Sequence, residues 1–514
     1  MKIIKKFKNL LFKSIRRYKF TYAVLALILS FSFFLRIYRI SELLGFYYDQ
    51  GRDALVIWRF WHEGKPFLVG PVTGLEGIFL GPFYYYLIAP FYLIGGGNPI
   101  YPAIFLAFLS VIAIGVVFYL GWRMQSLFTG LIAAIISGFS YYFVQAGRWL
   151  ANPTPILLTS VLLLLSMWKI IEDKTEKSET FWFSVAILVG ISLQLEAASA
   201  IFYIPMVIIF IVYLVLLRKK LFSFKTFIFS TLILLLTLLP QIIFNFRHEN
   251  ILLDNFSKVI FEEKSFKNPF TSYNLIKKRD YFWNVFSSKI FPREIKYSGV
   301  YYLLGLLGIF LTLKKNSKAI IILSIFIGIP LIGYIFFQGN YGNIYDYYMT
   351  GYYLPAVLLF SIGLGYFWKN LLGKILVLLF LVVFLNVNIP LIKNYISAGT
   401  DGPTHITLGN ELDAVNWVFD DASELDKFNI DVYVPPVIPH SYEYLFLWQG
   451  NVRCGKSLCN WEKNKQENVV YVLFEIDPPH PERLENWLSR YEENSILEKE
   501  VKFGGVTVQR RLRI

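Results

Sequence analysis

TYAVLALILSFSFFLRIY, residues 21–38, carries Arg36 as its one charge, and as an α-helix it is long enough to cross the hydrocarbon core of a bilayer. The preceding stretch holds Lys2, Lys5, Lys6, Lys8, Lys13, Arg16, Arg17 and Lys19 with no acid. Such a cluster stays on the cytoplasmic side, so residues 1–20 are expected to be cytoplasmic. No small-residue cleavage site follows the run, which therefore reads as a retained transmembrane helix and not as a removed signal peptide.

Comparable apolar runs recur along the chain, and 55% of all residues are hydrophobic. Taking each as a span places helices at about 21–38, 99–121, 127–146, 153–171, 181–198, 200–217, 223–244, 299–313, 318–337, 348–367 and 373–391. That is a polytopic α-helical membrane protein of about eleven transmembrane helices. With this count the basic turns GWRMQS, LRKKLF, LKKNSK and WKNLLGK fall inside, as does EDKTEKSE. The net charge of +14 is then a matter of topology and anionic lipid, and does not call for a nucleic-acid partner. GIFLGPFYYYLIAPFYLIGG, residues 77–96, is interrupted by Pro82, Pro90 and glycines. Counting it as a span would invert every later turn, so it is read as re-entrant or interfacial. DALVIWRFWHEG mixes tryptophans with charges and suits a helix lying in the headgroup plane. The first outer loop, residues 39–98, thus holds two membrane-surface elements.

The same topology gathers polar residues on one face. FYYDQGRDA, residues 46–54, brings Asp49 and Asp53 to the mouth of the first span; QAGRWLANPTP brings Arg148 and Asn152; LQLEAAS brings Glu196; FNFRHEN brings Arg247 and His248; NIYDYYMTGYYLP brings Tyr345 and Tyr348. Polar groups at membrane depth are expensive, and several converging on one face point to a functional cavity. Blander readings stand beside this. Asp49 could be the N-cap of the interfacial helix with Asp53 near its positive end. The arginines could snorkel, Glu196 could be hydrogen-bonded between helices, and the tyrosines could form an aromatic belt.

The order of R-W-x-x-N-P at Arg148–Pro153, L-Q-L before Glu196, P-x-x-x-F-x-x-R-H at Pro240–His248 and D-Y-Y…Y-Y-L-P from Asp346 to Pro355 resembles the GT-C glycosyltransferases. Within them it is similar to glycosyltransferase family 39, which includes protein O-mannosyltransferases and the aminoarabinose transferase of lipid A. The resemblance covers residues 20–390 and implies a GT-C transmembrane catalytic domain over 21–390. It also implies inverting transfer of a sugar from a polyprenyl-phosphate carrier to an acceptor hydroxyl on protein, lipid or cell-wall glycan, at the outer face of a plasma membrane. Asp49 matches the family's catalytic acidic position and would take the acceptor's proton. The leaving lipid phosphate is already a stable anion and needs cations, for which Arg148, Arg247 and His248 are the candidates, with Tyr345 and Tyr348 beside them. Asp53, Asn152 and Glu196 are left for the sugar or acceptor. No cofactor is required; a divalent cation is possible, but no residue spacing demands one, and no metal ligand is assigned. Two departures stand out. Gly81 occupies the place where the aminoarabinose transferase carries a phosphate-binding lysine, and Glu196 follows L-Q-L where many relatives have histidine.

Two further regions lie outside. Residues 245–298 form a long outer loop with Lys258, Lys264, Lys267, Lys277, Lys278 and Arg279, either a solvated loop or a lid over the donor. Residues 391–514 change to a soluble pattern, with amphipathic helices at ELDAVNWVFDDASEL and PERLENWLSRYEEN, strands at IDVYVPPV and NVVYVLFEI, and a closing strand or hairpin at KFGGVTVQRRL. This predicts an extracytoplasmic α/β domain. Cys454 and Cys459 fall within it and are expected to form a short-loop disulfide. A lipid-linked glycan ligase or polymerase remains an alternative, as does a non-enzymatic transporter of lipid-linked sugars, although the internal repeat a transporter would show is not seen.

Overall fold

Every one of the eleven apolar segments is helical in the computed structural model, which describes residues 16–74, 77–173, 179–219, 221–258, 272–292, 298–337, 344–435 and 438–514. Six helices among the described residues are long and apolar enough to cross a membrane alone: Lys19–Ile37, Ile100–Met124, Ala197–Leu216, Ser317–Phe336, Asp346–Phe367 and Leu371–Ile396. The chain is a multi-pass membrane protein. Two expected spans are broken. Leu127–Phe139 meets Tyr141–Arg148 at 61°, and Phe224–Thr237 meets Leu239–Arg247 at 58°, so the count reaches eight if each bent pair is one span. The first break falls at Ser140, whose extended backbone (φ −67°, ψ 130°) stops the helix. The second precedes Pro240, which has no N–H to continue the ladder and restricts the residue before it. Ile156–Glu172, Glu179–Leu195 and Ser298–Thr312 are shorter, with 17, 17 and 15 residues. The eleven expected segments thus differ in form, some as single long helices, two as bent pairs and three as shorter helices.

The two elements expected at the membrane surface within residues 39–98 are both helices. Tyr48–Glu63 is amphipathic and ends at Gly64 in the left-handed region (φ 67°). Phe83–Ile94 is 12 residues long, contains Pro90, and is closed off by the glycines that follow. Its Tyr84, Tyr85 and Tyr92 are buried, and it is shorter than the helices long enough to cross a membrane alone.

The C-terminal region folds as a four-stranded sheet with three helices. The strands are β1 (Asn429–Tyr433), β2 (Val469–Glu475), β3 (Ser495–Phe503) and β4 (Val506–Arg513). They lie in the order β1-β2-β4-β3. β1 and β2 pair in parallel, and the β3–β4 hairpin continues the sheet antiparallel. The helices Leu408–Asp421 and Pro481–Glu492 fall where amphipathicity put them, and His440–Cys454 is an additional one. Cys454 and Cys459 are joined by a disulfide.

This domain is not a separate bead. One apolar core includes Phe46, Ile57, Tyr84 and Tyr92 from residues 39–98 together with Val415, Tyr444, Trp448 and Tyr471 of the C-terminal region. Trp448 Nε1 donates to the Gly96 carbonyl at 2.8 Å, and the Tyr444 hydroxyl donates to that of Gly97. Burial of rings this large contributes much of the docking free energy.

Candidate active site

The geometry starts from the first turn of the helix Tyr48–Glu63. Gln50 Oε1 accepts from the Tyr47 N–H at 3.0 Å and its Nε2 donates to the Leu150 carbonyl at 3.1 Å. One side chain thus closes the helix start and ties it to the turn after Arg148. Asp49 is not the N-cap: it occupies the second helical position, where a carboxylate is favoured by the helix dipole.

Spacings of three and four residues put Asp49, Arg52 and Asp53 on one face. Arg52 Nη1 lies 2.8 Å from Asp49 Oδ1, while Nη2 and Nε lie 2.7 and 2.9 Å from Asp53 Oδ1. The Tyr85 hydroxyl donates to the same Asp53 oxygen at 3.0 Å. The two carboxylates differ in setting. Asp49 keeps 63% of its side chain exposed, whereas that of Asp53 is 5% exposed. Burial pushes the Asp53 carboxyl up to about 6, against the pull of Arg52. The Arg52 guanidinium is itself held more firmly in its charged form, because the attraction of Asp53 and Asp49 outweighs its own burial.

Opposite this face stands a second polar pair from distant sequence. Asn152 Nδ2 donates to the Leu195 carbonyl at 2.7 Å and to Glu196 Oε2 at 3.3 Å. Glu196 Oε1 accepts from the Ala198 N–H at 3.3 Å, capping the short helix Ala197–Ala200. Glu196 is buried. Between the two faces lies a cavity of about 200 Å³ that Asp49, Arg52, Asp53, Asn152, Glu196 and Tyr348 line together, with apolar walls that include Trp149, Ile201 and Phe337. Mostly apolar lining with a few convergent polar groups is the usual composition of a small-molecule site.

Not every expected residue arrives there. Arg148 is buried, and its Nη1 donates to the carbonyls of Leu35, Arg36 and Tyr38 at 2.9–3.2 Å. It closes the end of the first span, and Trp149, the next residue, reaches the cavity instead. Arg247 is exposed, and His248 stacks on Phe244 with a centroid distance of 4.0 Å. Tyr345 stacks on Tyr347 at 5.6 Å and is 42% exposed. Tyr347 and Tyr348, its neighbours, line the cavity. Lys278 donates to the carbonyls of Tyr334, Ile335 and Phe337 at 2.8–3.0 Å, capping the helix Ser317–Phe336; Lys264 and Lys267 lie outside the described residues. The residue that sequence reasoning passed over is Arg52, the one lysine or arginine among the described residues lining the cavity. Its signal was present as a cation three residues after Asp49.

Residues 80–244 match the family described as dolichyl-phosphate-mannose-protein mannosyltransferase. The fold is similar to that of ArnT from Cupriavidus metallidurans in the apo state, at 11% identity over 97% of this chain and 98% of that one, with a TM-score of 0.57. It is similar also to the oligosaccharyltransferase AglB from Archaeoglobus fulgidus, at 13% identity over 90% of this chain and 70% of that one, with a TM-score of 0.51. The chain shares the GT-C fold of these two structures. No curated protein matches it in sequence.

Two glycines lie where neighbouring elements approach closely. A Cβ on Gly81 would sit 2.2 Å from Gln194 Cγ, and Gln194 is held by the Phe83 N–H at 3.2 Å and by the Thr237 carbonyl. A lysine has no room at that position. A Cβ on Gly51 would sit 2.2 Å from the Ser441 backbone nitrogen and 2.5 Å from the His440 carbonyl oxygen. The C-terminal helix therefore rests on bare backbone between Asp49 and Asp53, with the His440 ring 4.9 Å from that of Tyr48. Gly51→Ala is expected to lose about 1–3 kcal/mol through overpacking. Amide exchange across residues 440–450 should accelerate about tenfold while the membrane helices keep their protection; unchanged exchange there would mean that the contact yields without cost. Among the described residues no three His, Cys, Asp or Glu side chains converge as metal ligands.

Proposed function

We propose that the chain transfers a sugar, with inversion, from a polyprenyl-phosphate carrier to an acceptor hydroxyl on the outer face of a plasma membrane, with its N-terminus cytoplasmic and residues 391–514 extracytoplasmic. The observation that carries this reading is the cavity between Asp49–Arg52–Asp53 and Asn152–Glu196, which offers a solvent-accessible carboxylate and a cation within one small space. The family matched over residues 80–244 is described by a lipid-phosphate sugar, and AglB was solved with a dolichol-phosphate; both support a lipid-phosphate donor here.

In this reading Asp49 takes the acceptor proton while the acceptor oxygen bonds to the anomeric carbon. The bond from that carbon to the phosphate oxygen breaks, and the electron pair leaves on the phosphate. Arg52 receives that charge. A guanidinium has five N–H donors, and three are engaged with Asp49 and Asp53. One N–H on each Nη remains, a fork suited to two phosphate oxygens. Asn152 and Glu196 bind hydroxyls of the sugar, and Trp149, Tyr347 and Tyr348 give it a face to stack on. Arg148, Arg247 and His248 have no part in this chemistry.

The test is consumption of labelled polyprenyl-phosphate sugars, presented one at a time to the purified protein with membrane and cell-wall extract as acceptor. One donor should lose its label to the extract. If none of a broad panel is consumed while the protein remains folded, the transferase reading falls and a lipid-linked glycan ligase takes its place.

A further inference from the structure

Lys289 is an ionisable group that the proposed chemistry does not use, and its side chain is 3% exposed. Its Nζ lies 3.0 and 3.2 Å from the carboxylate oxygens of Asp346 and 3.3 Å from Ser288 Oγ. The same nitrogen is 3.4 Å from the centroid of the Tyr142 ring and 4.4 Å from that of Tyr353. Three segments far apart in sequence thus close on one ammonium: the outer helix Ser272–Ser287 through the residues just after it, the half-span Tyr141–Arg148, and the turn Asp346–Met349. The Asp346 carboxylate also accepts from the Tyr353 hydroxyl.

Two of these segments continue directly into the cavity wall. Trp149 follows Arg148, and Tyr347 and Tyr348 follow Asp346; all three line the cavity, and the rings of Trp149 and Tyr347 stand 6.2 Å apart. Lys289 itself does not reach it. Burying the Lys289 ammonium is costly in desolvation, and its partner Asp346 keeps 46% of its side chain exposed, while a cation between two ring faces gains most when dry. Such a cluster serves to specify one arrangement of the elements around it.

We infer that Lys289 is a positioning residue, which clamps the Trp149 turn against the Tyr347–Tyr348 turn and so sets the aromatic wall against which the donor sugar is held. The kinetic consequence rests on the transferase reading above; the clamp itself does not. Two measurements separate them. The first is cross-linking in Trp149→Cys/Tyr347→Cys, where the yield of the new disulfide under mild oxidation reports how closely the turns are held. Adding Lys289→Met should lower that yield severalfold, and adding Lys289→Met with Asp346→Asn, which leaves no unpaired charge in the cluster, should do the same in a protein that still folds.

The second measurement is kinetic. With Trp149 and Tyr347 intact, Lys289→Met should raise KM for the donor about tenfold with a smaller change in kcat. Burial lowers the Lys289 ammonium to about 8 against the pull of Asp346. The charged form makes the clamp, so kcat/KM of the native protein should fall as pH rises through about 8. Lys289→Met should lack that fall. Tyr142, Tyr353 and Tyr281 also face the Asp346 end of the cluster, but Tyr281 is pushed up to about 12 and titrates above this window. An unchanged cross-linking yield in both Lys289 backgrounds overturns the clamp. A reduced yield in the cysteine variants, together with a native protein that consumes no donor, upholds the clamp and overturns the transferase reading.

Discussion

Asp49→Asn is expected to leave the protein folded and to lower turnover about 10²–10⁴-fold, the range that a general base contributes. The substitution keeps shape and removes only the proton acceptor. Most of the Asp49 side chain faces solvent and its bond to Arg52 is an i,i+3 surface contact, so stability should change by less than about 0.5 kcal/mol. Arg52 keeps its two bonds to Asp53, so KM for the donor should move little. A fall in kcat at constant KM marks a group needed only in the transition state. Full activity in Asp49→Asn would move the base to Asp53 or Glu196, the other two carboxylates lining the cavity.

Arg52→Met is expected to do more. It removes the cavity's cation among the described residues and strands the buried Asp53, and breaking a buried pair on one side costs about 3–5 kcal/mol. The loss should depend on pH. Asp53 already sits at about 6 in the folded protein against 3.8 as its ordinary value, and without Arg52 it rises further. A carboxyl whose folded pKa lies above its unfolded one favours folding most at low pH, and that contribution fades as pH climbs through the folded value. Arg52→Met should therefore unfold at a temperature closer to that of the native protein at pH 5 than at pH 8. Adding Asp53→Asn should recover most of the stability at pH 8 without recovering transfer, because the buried charge is gone while the phosphate still lacks its cation. Thermal unfolding in detergent measures the first effect and donor consumption the second. Stability that is equal at both pH values would show that Asp53 does not depend on Arg52 in the folded state.

The two variants act on one turn of helix, and that turn was readable in the chain. The step of three from Asp49 to Arg52 and of four to Asp53 fixes a shared face as soon as the segment is helical, and its apolar and aromatic residues suit a helix at the membrane surface. The membrane spans were legible for the same local reason, since an uninterrupted apolar run of bilayer length has no other stable fate. So were β2 and the helices Leu408–Asp421 and Pro481–Glu492. His440–Cys454 was not, because HSYEYLFLWQGNVRC is buried along much of its length and shows no clear polar stripe. The breaks at Ser140 and before Pro240 were likewise hidden inside runs that look continuous in composition.

What composition and periodicity determined is therefore everything that depends on near neighbours: a multi-pass helical membrane protein, an acidic motif after its first apolar run, and an α/β region after the last span. Tertiary structure alone decided which polar groups meet. Arg148, Arg247 and Arg52 are alike as cations flanking apolar segments, yet carbonyls of the first span enclose one, solvent takes the second, and only the third reaches the cavity. Asn152 and Glu196 stand opposite Asp49 because helices distant in sequence pack there, and the C-terminal helix rests on Gly51 because no side chain stands between. Those contacts join residues tens to hundreds of positions apart, and their free energy comes from packing that no local pattern encodes.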